Sequence, residues 1–405
     1  MNAYLLIIYL EVKMKVSILM LMMTLFIFSC SGKNEESEKA ENGNDNTEFF
    51  DGADEEADNL ENIDDDDEGG DKDEYADLDI PEESKYILKN GFQIDSIDNL
   101  DDFSDLQHLK DILKDKKIIM VGDGHHGAAE TKKYMTRIIA FIYKEFGATS
   151  VLWETCSING YFIDNFIQNG DKSSLASLLS YQKTGITATY DFYNVFRDIR
   201  KINGHEIAKG PLSFLGVDVC PIPAMVREYL REYLQSCNKI EILDEFEKEF
   251  DTIFIPYETD FFEVCEDLIV VIEKLVAEIN GAEKDLINNC SEEKYNNALN
   301  VAYDFLNAHK FYCFNDDQIR EDAIFKNVEN VLKKETGKIV IAYGQAHVQN
   351  QTFTSGGQNM RTLSQLLHDN YDSLGIYTIG TDFSEGTVSW TGVDDDGEGF
   401  YFYEY

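Results

Sequence analysis

The sequence predicts an α/β fold: a mostly parallel sheet flanked by helices, with a helical insertion or cap. Three observations predict it. From about Tyr86 onward short apolar runs alternate with helical patterns, a polar residue stands at the downstream end of each run, and long amphipathic helices interrupt the alternation between Pro221 and about Asn315. Repeated strand, loop and helix is the pattern of layered α/β sheets rather than of sandwiches or bundles. No period of about 20 to 50 residues repeats, which sets solenoids and propellers aside.

Taken in order, the chain opens on an export signal over residues 1–29, in which "MKVSILMLMMTLFIFSCSG" places a short positive start before an apolar run too short for a membrane span. Met14 makes a more typical start than Met1. Ile27, Phe28, Ser29 and Cys30 resemble the bacterial lipobox, which implies a lipid-modified Cys30 as the first mature residue and an address in the cell envelope, anchored to a bacterial membrane and open to surface exposure. Residues 30–80 are rich in acids and poor in apolar side chains, so they cannot bury enough surface to fold and read as a disordered acidic tether. The run "DDDDEGGDKDE" within them lacks the acid spacing of a calcium loop. Residues 81–405 form the folded domain, with the insertion over about 221–315.

The 405 residues carry 77 acids against 35 bases, a formal net charge of −42, which argues against a nucleic-acid or anionic lipid surface as partner. A small-molecule substrate fits better, and attachment to a membrane is expected through the lipid only. Six cysteines follow the lipobox, Cys156, Cys220, Cys237, Cys265, Cys290 and Cys313; with no C-x-x-C pair they do not suggest a zinc cage, and their pairing cannot be read from spacing. Oligomeric state is equally unread.

Five runs read as strands: "KIIMVGDG", "TSVLWET", "LSFLGVDV", "KIVIAYGQAH" and "LGIYTIGTDF". The helix "AAETKKYMTRIIAFIYKEFG" follows the first, with Met135, Ile138, Ile139 and Ile142 on one face and Gly147 as its stop. Ligands of open parallel sheets bind beyond the carboxyl ends of the strands, and here those ends carry Asp123, His125, His126, Glu154, Asp218 and His347. His309, inside the insertion, reads instead as a packed helix position.

Gly122, Gly124 and Gly127 satisfy G-x-G-x-x-G, a dinucleotide fingerprint. Asp123 would repel a pyrophosphate, however, and two imidazoles occupy positions where backbone must come close. An acid/base site uses those same residues: the positive end of a helix keeps a histidine neutral, as a general base must be, and a nearby carboxylate fixes its tautomer.

Gly122, Asp123, Gly124, His125, His126, Gly127 and Glu130, together with Glu154 in "VLWE", Asp218 in "GVD", Arg320 and Asn327 in "REDAIFKN" and His347 in "AYGQAHV", resemble the erythromycin-esterase-like family. That family lies in a wider group with haem-binding ChaN-type lipoproteins and TraB- and Tiki-type proteins. Aspartate stands at 123 where the family motif has glutamate, and Gly344 and Gln345 replace the first two residues of its H-N-x-H motif. The resemblance implies a hydrolase of ester or related carbonyl bonds that requires no cofactor. His126 would take a proton from water, Asp123 and Glu154 would orient the histidines, Arg320 would bind substrate or oxyanion, and His347 would act as acid or second base. His125, Glu130, Asp218 and Asn327 would bind substrate or support these groups, with Glu130 able to hold Arg320 in place. No G-x-S-x-G elbow offers a nucleophile. Two rivals use the same positions: a metal-dependent hydrolase or protease of the Tiki/TraB type with His125, His347 and one carboxylate, foremost Glu154, around a divalent metal, and a haem- or metal-binding lipoprotein without catalysis.

Overall fold

The structure, a computed structural model, describes residues 92, 94–124, 128–181, 190–205, 210–254, 261–355, 358–381, 387–392 and 399–404. The expected signal, lipobox with Cys30 and acidic tether lie outside the described residues, as do His125, His126 and Gly127. Asp95–Tyr405 belong to one compact unit; of the unit Phe28–Ile94 only Phe92 and Ile94 are described.

A short helix α1 (Leu109–Leu113) leads into β1 (Ile118–Asp123), followed by α2 (Ala129–Phe146), β2 (Ser150–Cys156), α3 (Ser157–Asn169), α4 (Lys172–Tyr181), α5 (Tyr190–His205) and β3 (Ser213–Asp218). Among the described residues the insertion holds five helices: α6 (Pro223–Ser236), α7 (Ile240–Phe254), α8 (Phe261–Gly281), α9 (Glu283–Asn289) and α10 (Glu292–Phe314). The chain then returns through α11 (Asp317–Leu332) to β4 (Ile339–Gly344) and α12 (Gln345–Val348). A hairpin of β5 (Thr352–Ser355) and β6 (Gln358–Arg361), helix α13 (Leu363–Tyr371), strand β7 (Ile376–Thr381) and a second hairpin of β8 (Thr387–Gly392) and β9 (Gly399–Glu404) complete it.

The five strands expected from the sequence are β1, β2, β3, β4 and β7, and they form one sheet in the order β3-β2-β4-β1-β7 with every pairing parallel. Strands covered on both faces need apolar side chains throughout, and β1 and β4 are buried at every position. The two antiparallel hairpins add to what the sequence predicted. From β1 the chain moves toward β2, whereas from β4 it moves past β1 to β7. Neighbouring strands whose connections diverge open a crevice at their carboxyl ends, the usual ligand position in such sheets. Register places Asp123 beside Gly344 in that crevice, bringing "GDG" and "GQAH" together from more than half the domain apart.

Helix α3 packs on β3 backbone against backbone. A Cβ on Gly160 would stand 2.1 Å from the Gly216 nitrogen, and one on Gly216 would stand 2.0 Å from the Cys156 carbonyl oxygen. Only glycine fits either place.

The insertion has its own core, including Leu230, Phe246, Phe250, Leu268, Ile272 and Phe305, which also reaches Cys156 and Cys220. Full burial of such side chains contributes roughly 1.5–3 kcal/mol each. His309 packs here as expected: its Nδ1–H donates to the Phe305 carbonyl at 3.0 Å, and burial lowers its pKa to about 4, so the ring is neutral. Two disulfides, Cys237–Cys290 and Cys265–Cys313, cross-link the helices, while Cys156 and Cys220 are free and buried.

Asp304 joins the insertion to the sheet. It accepts hydrogen bonds from Ser157 Oγ at 2.9 Å and Asn327 Nδ2 at 2.8 Å, and its backbone carbonyl accepts from Cys220 N–H at 3.3 Å. Burial raises its pKa to about 7 against the lowering effect of those two donors, with Asp218 adding to the rise.

The disulfides span sequence separations of 53 and 48 residues, loops whose closure stabilises by about 4 kcal/mol each. Calorimetry with and without reductant should therefore show a clearly lower melting temperature for the reduced protein. Asp304 gives a second expectation. A carboxyl whose folded pKa lies above its unfolded value binds its proton more tightly when folded, so this group's contribution to stability declines as pH rises from about 4 to about 7. Asp304→Asn keeps an acceptor for Asn327 and offers an amide to the Ser157 hydroxyl, and its melting temperature should lose that part of the pH dependence.

Candidate active site

At the end of β1 the Asp123 carboxylate is buried; Thr131 Oγ1 donates to its Oδ1 at 2.9 Å, and the Lys132 ammonium is bonded to its Oδ2. Both partners come from the first turn of α2, and the Lys132 Nζ also lies 5.9 Å from the centroid of the Trp153 ring. The strand end and the helix start are thus tied across the loop that carries His125 and His126. Gly122 has a packing reason to be glycine: a Cβ there would stand 2.7 Å from Val348 Cγ2 and 3.3 Å from Gln345 Cα, because α12 crosses the strand end.

The ends of β2, β3 and β4 meet at Arg320, from the first turn of α11. Its Nε donates to Asp218 Oδ1 at 3.0 Å and its Nη2 to Asp218 Oδ2 at 2.5 Å, while Nη2 also donates to Glu154 Oε1 at 3.0 Å. The other Glu154 oxygen accepts the Gly344 N–H at 2.7 Å, and Asp218 Oδ1 accepts the Val219 N–H at 2.7 Å. Burial opposes the guanidinium charge, but Asp218 and Glu154 more than offset it and push its pKa further up. Removing one partner of such a buried group leaves the others uncompensated, at a cost of about 3–5 kcal/mol.

His347 completes the cluster. Its Nδ1 is bonded to Glu321 Oε1, and the second Glu321 oxygen accepts the Leu363 N–H at 2.5 Å. Its Nε2 faces the cluster, 3.7 Å from Glu154 Oε1 and 3.5 Å from Arg320 Nη1. Burial works against the imidazolium, yet the bond to Glu321 and the charge of Glu154 prevail over it and over Arg320, so the pKa is raised. The Tyr343 ring stands edge-on to this imidazole at 5.4 Å.

The structure therefore brings Glu154, Asp218, Arg320 and His347 into direct contact. It corrects one expected contact. Glu130 is exposed and does not touch Arg320, whose carboxylate partners are Asp218 and Glu154. Asn327 braces the scaffold: its Nδ2 donates to the Val217 carbonyl at 3.2 Å and to Asp304, fixing α11 against β3 and the insertion. Glu321 was missed as a site residue although it follows Arg320 directly in the motif. Lys132 carried no signal, since nothing in the spacing shows which turn of a helix reaches back to the strand. For a divalent metal at His125, His347 and Glu154 the fit is poor, because the Arg320 guanidinium lies against both described members. Among the described residues no three His, Cys, Asp or Glu are arranged to hold a metal ion.

Known proteins resemble this chain in sequence or in fold. In the curated set, YbfO of Bacillus subtilis, provisionally named a hydrolase, is 24% identical over 196 residues, which is 47% of this chain and 42% of YbfO, so the chain spans less than half the length of that relative. Among solved structures, a Bacillus cereus protein superposes with a TM-score of 0.63 at 18% identity, over 80% of this chain and 78% of that one. A mutant of erythromycin esterase EreC in its open conformation superposes with a TM-score of 0.60 at 14% identity, over 75% of this chain and 79% of EreC. At those identities the likeness is one of fold. The family model described as erythromycin esterase matches residues 144–398, which takes in β2, β3, β4, β7 and the Arg320 cluster and begins after the β1 loop. With more than half of its length matched, the chain belongs to the erythromycin esterase family.

Proposed function

We propose that this protein is a hydrolase that cleaves an ester or related carbonyl bond of a small-molecule substrate with activated water, by acid/base chemistry that requires no cofactor. The observation that carries the reading is the Glu321–His347 pair, whose Nε2 opens on Arg320 and Glu154 at the carboxyl ends of the sheet. Family membership and the names of YbfO and EreC support the reaction class.

In this scheme the substrate carbonyl oxygen takes a hydrogen bond from Arg320 Nη1, the guanidinium nitrogen that is not spent on Asp218 or Glu154. His126, from the loop after β1, removes a proton from water as the water attacks the carbonyl carbon. Asp123 supports the start of that loop. His347, held as imidazolium by Glu321 and Glu154, gives its proton to the leaving oxygen, and the two histidines are restored by passing the proton through solvent. Acid/base help of this kind contributes on the order of 10² to 10⁴ in rate, and the fixed charges supply the remainder.

The envelope address rests on the N-terminal residues: the apolar run, the lipobox at Ile27 to Cys30 and the acidic spacer behind it. The two disulfides suit an oxidising compartment. A lipoprotein anchor of several acyl chains holds stably, at about 0.8 kcal/mol per buried CH₂.

On a panel of activated esters and lactones, His347→Gln should reduce kcat/KM by about 10²- to 10⁴-fold. The alkaline limb of the wild-type profile should lie above the ordinary histidine value, and Glu321→Gln should move it to lower pH. Linkage runs the same way: the raised histidine adds stability that is full below its unfolded pKa and is lost as pH rises through the folded one, a slope His347→Gln should remove. An alkaline limb unmoved by Glu321→Gln would refute the acid role of His347. For the anchor, fractionation and N-terminal mass analysis should find Cys30→Ala released from the membrane or left as uncleaved precursor. Unchanged membrane retention would refute it.

A further inference from the structure

Tyr343 is the single polar-tipped side chain in the apolar run Ile339–Tyr343 of β4. Its side chain is fully buried, and its hydroxyl has no hydrogen-bond partner among the described residues. A buried hydroxyl without a partner is destabilising, and phenylalanine would fill the same volume without that penalty. The hydroxyl therefore needs a reason to be there.

Its surroundings supply one. The ring packs edge-on to His347, and after burial itself the groups that bear on the phenol are Asp218, Glu154, Arg320 and Glu321, the charged members of the site. None of them takes its proton. Both Glu154 oxygens already accept hydrogen bonds, from Arg320 and Gly344, and both Asp218 oxygens are bonded to Arg320. Among the described residues, the Tyr343 hydroxyl and Arg320 Nη1 are thus donors that the carboxylates of this cluster leave unspent.

We infer that the Tyr343 hydroxyl is a further catalytic donor, kept unpartnered at rest and hydrogen-bonded to the substrate's carbonyl oxygen as that oxygen becomes negative. The inference rests on the hydrolase reading. The phenol keeps its proton throughout: burial, with Asp218 and Glu154, holds its pKa well above the ordinary value, so it donates at neutral pH without ionising. A donor unsatisfied in the ground state and satisfied in the transition state lowers the barrier without tightening substrate binding. It would share the oxyanion with Arg320 Nη1, one neutral donor beside one charged.

The test is Tyr343→Phe, with kinetics and thermal melting measured on the same preparations and His347→Gln as reference. The expected result is a melting temperature at or above the wild type, a kcat lower by about 10²- to 10³-fold, as when one oxyanion donor is removed, and an unchanged KM. Affinity for a phosphonate mimic of the tetrahedral intermediate should fall in proportion to kcat/KM, while affinity for the product carboxylate holds. A variant of full activity overturns the inference. So does one that loses stability and activity together, because the hydroxyl would then be a structural donor. If His347→Gln abolishes turnover and Tyr343→Phe does not, the hydrolase reading stands and the role of Tyr343 falls; if the wild type cleaves no ester or lactone of the panel, both fall.

Discussion

The guanidinium of Arg320 is the constraint on which this site depends. It takes two carboxylates from neighbouring strands, Asp218 and Glu154, into one buried group, and neither acid could remain there alone. Since Arg320 stands on a helix, the cluster can form only when α11 is docked. That helix makes two other attachments: Glu321 holds His347 and the start of α13, and Asn327, two turns beyond Arg320, holds the end of β3 and Asp304. Docking α11 therefore aligns the ends of three strands, the His347 imidazole and the base of the insertion in one step.

Electrostatics in the crevice follow from that docking. Arg320 offsets Asp218 and Glu154, Lys132 offsets Asp123, and Glu321 is left to His347. A chain of very large negative charge thus has a locally compensated site. Outside it, the densest run of acids stands ahead of the domain in the sequence, over residues 30–80.

How much of this was legible in the sequence depended on which residues are local to one another. The five strands were legible because a doubly covered parallel sheet demands unbroken apolar runs such as "IIMV" and "IVIAY". Their polar ends, Asp123, Glu154, Asp218 and His347, were legible because ligands gather there. Strand order was not, since placing β4 between β1 and β2 is decided by contacts across some two hundred residues of chain. Glu321 and Lys132 look in sequence like any charged helix residue, and only the packing direction of α11 and α2 turns them inward. Tyr343 is still less visible: a tyrosine in an apolar run reads as core, and its meaning lies in the partner it lacks. Likewise Glu130, near the histidine motif, was one candidate to hold Arg320, whereas the fold supplies Arg320 with Asp218 and Glu154.

The two disulfides of the insertion are interleaved: Cys265 lies inside the loop closed by Cys237 and Cys290, and Cys290 lies inside the loop closed by Cys265 and Cys313. Neither bridge reaches the sheet. Under tension between the ends of this segment each bridge offers its own covalent route, Cys237 to Cys290 and on along the chain to Cys313, or along the chain to Cys265 and across to Cys313, so the load is shared between them. A pull on the insertion would load the noncovalent seam at Asp304, Ser157 and Asn327 before the bridged helices. The insertion would then come away whole, as a stiff plate lifting from its seat, and could settle back without having to refold.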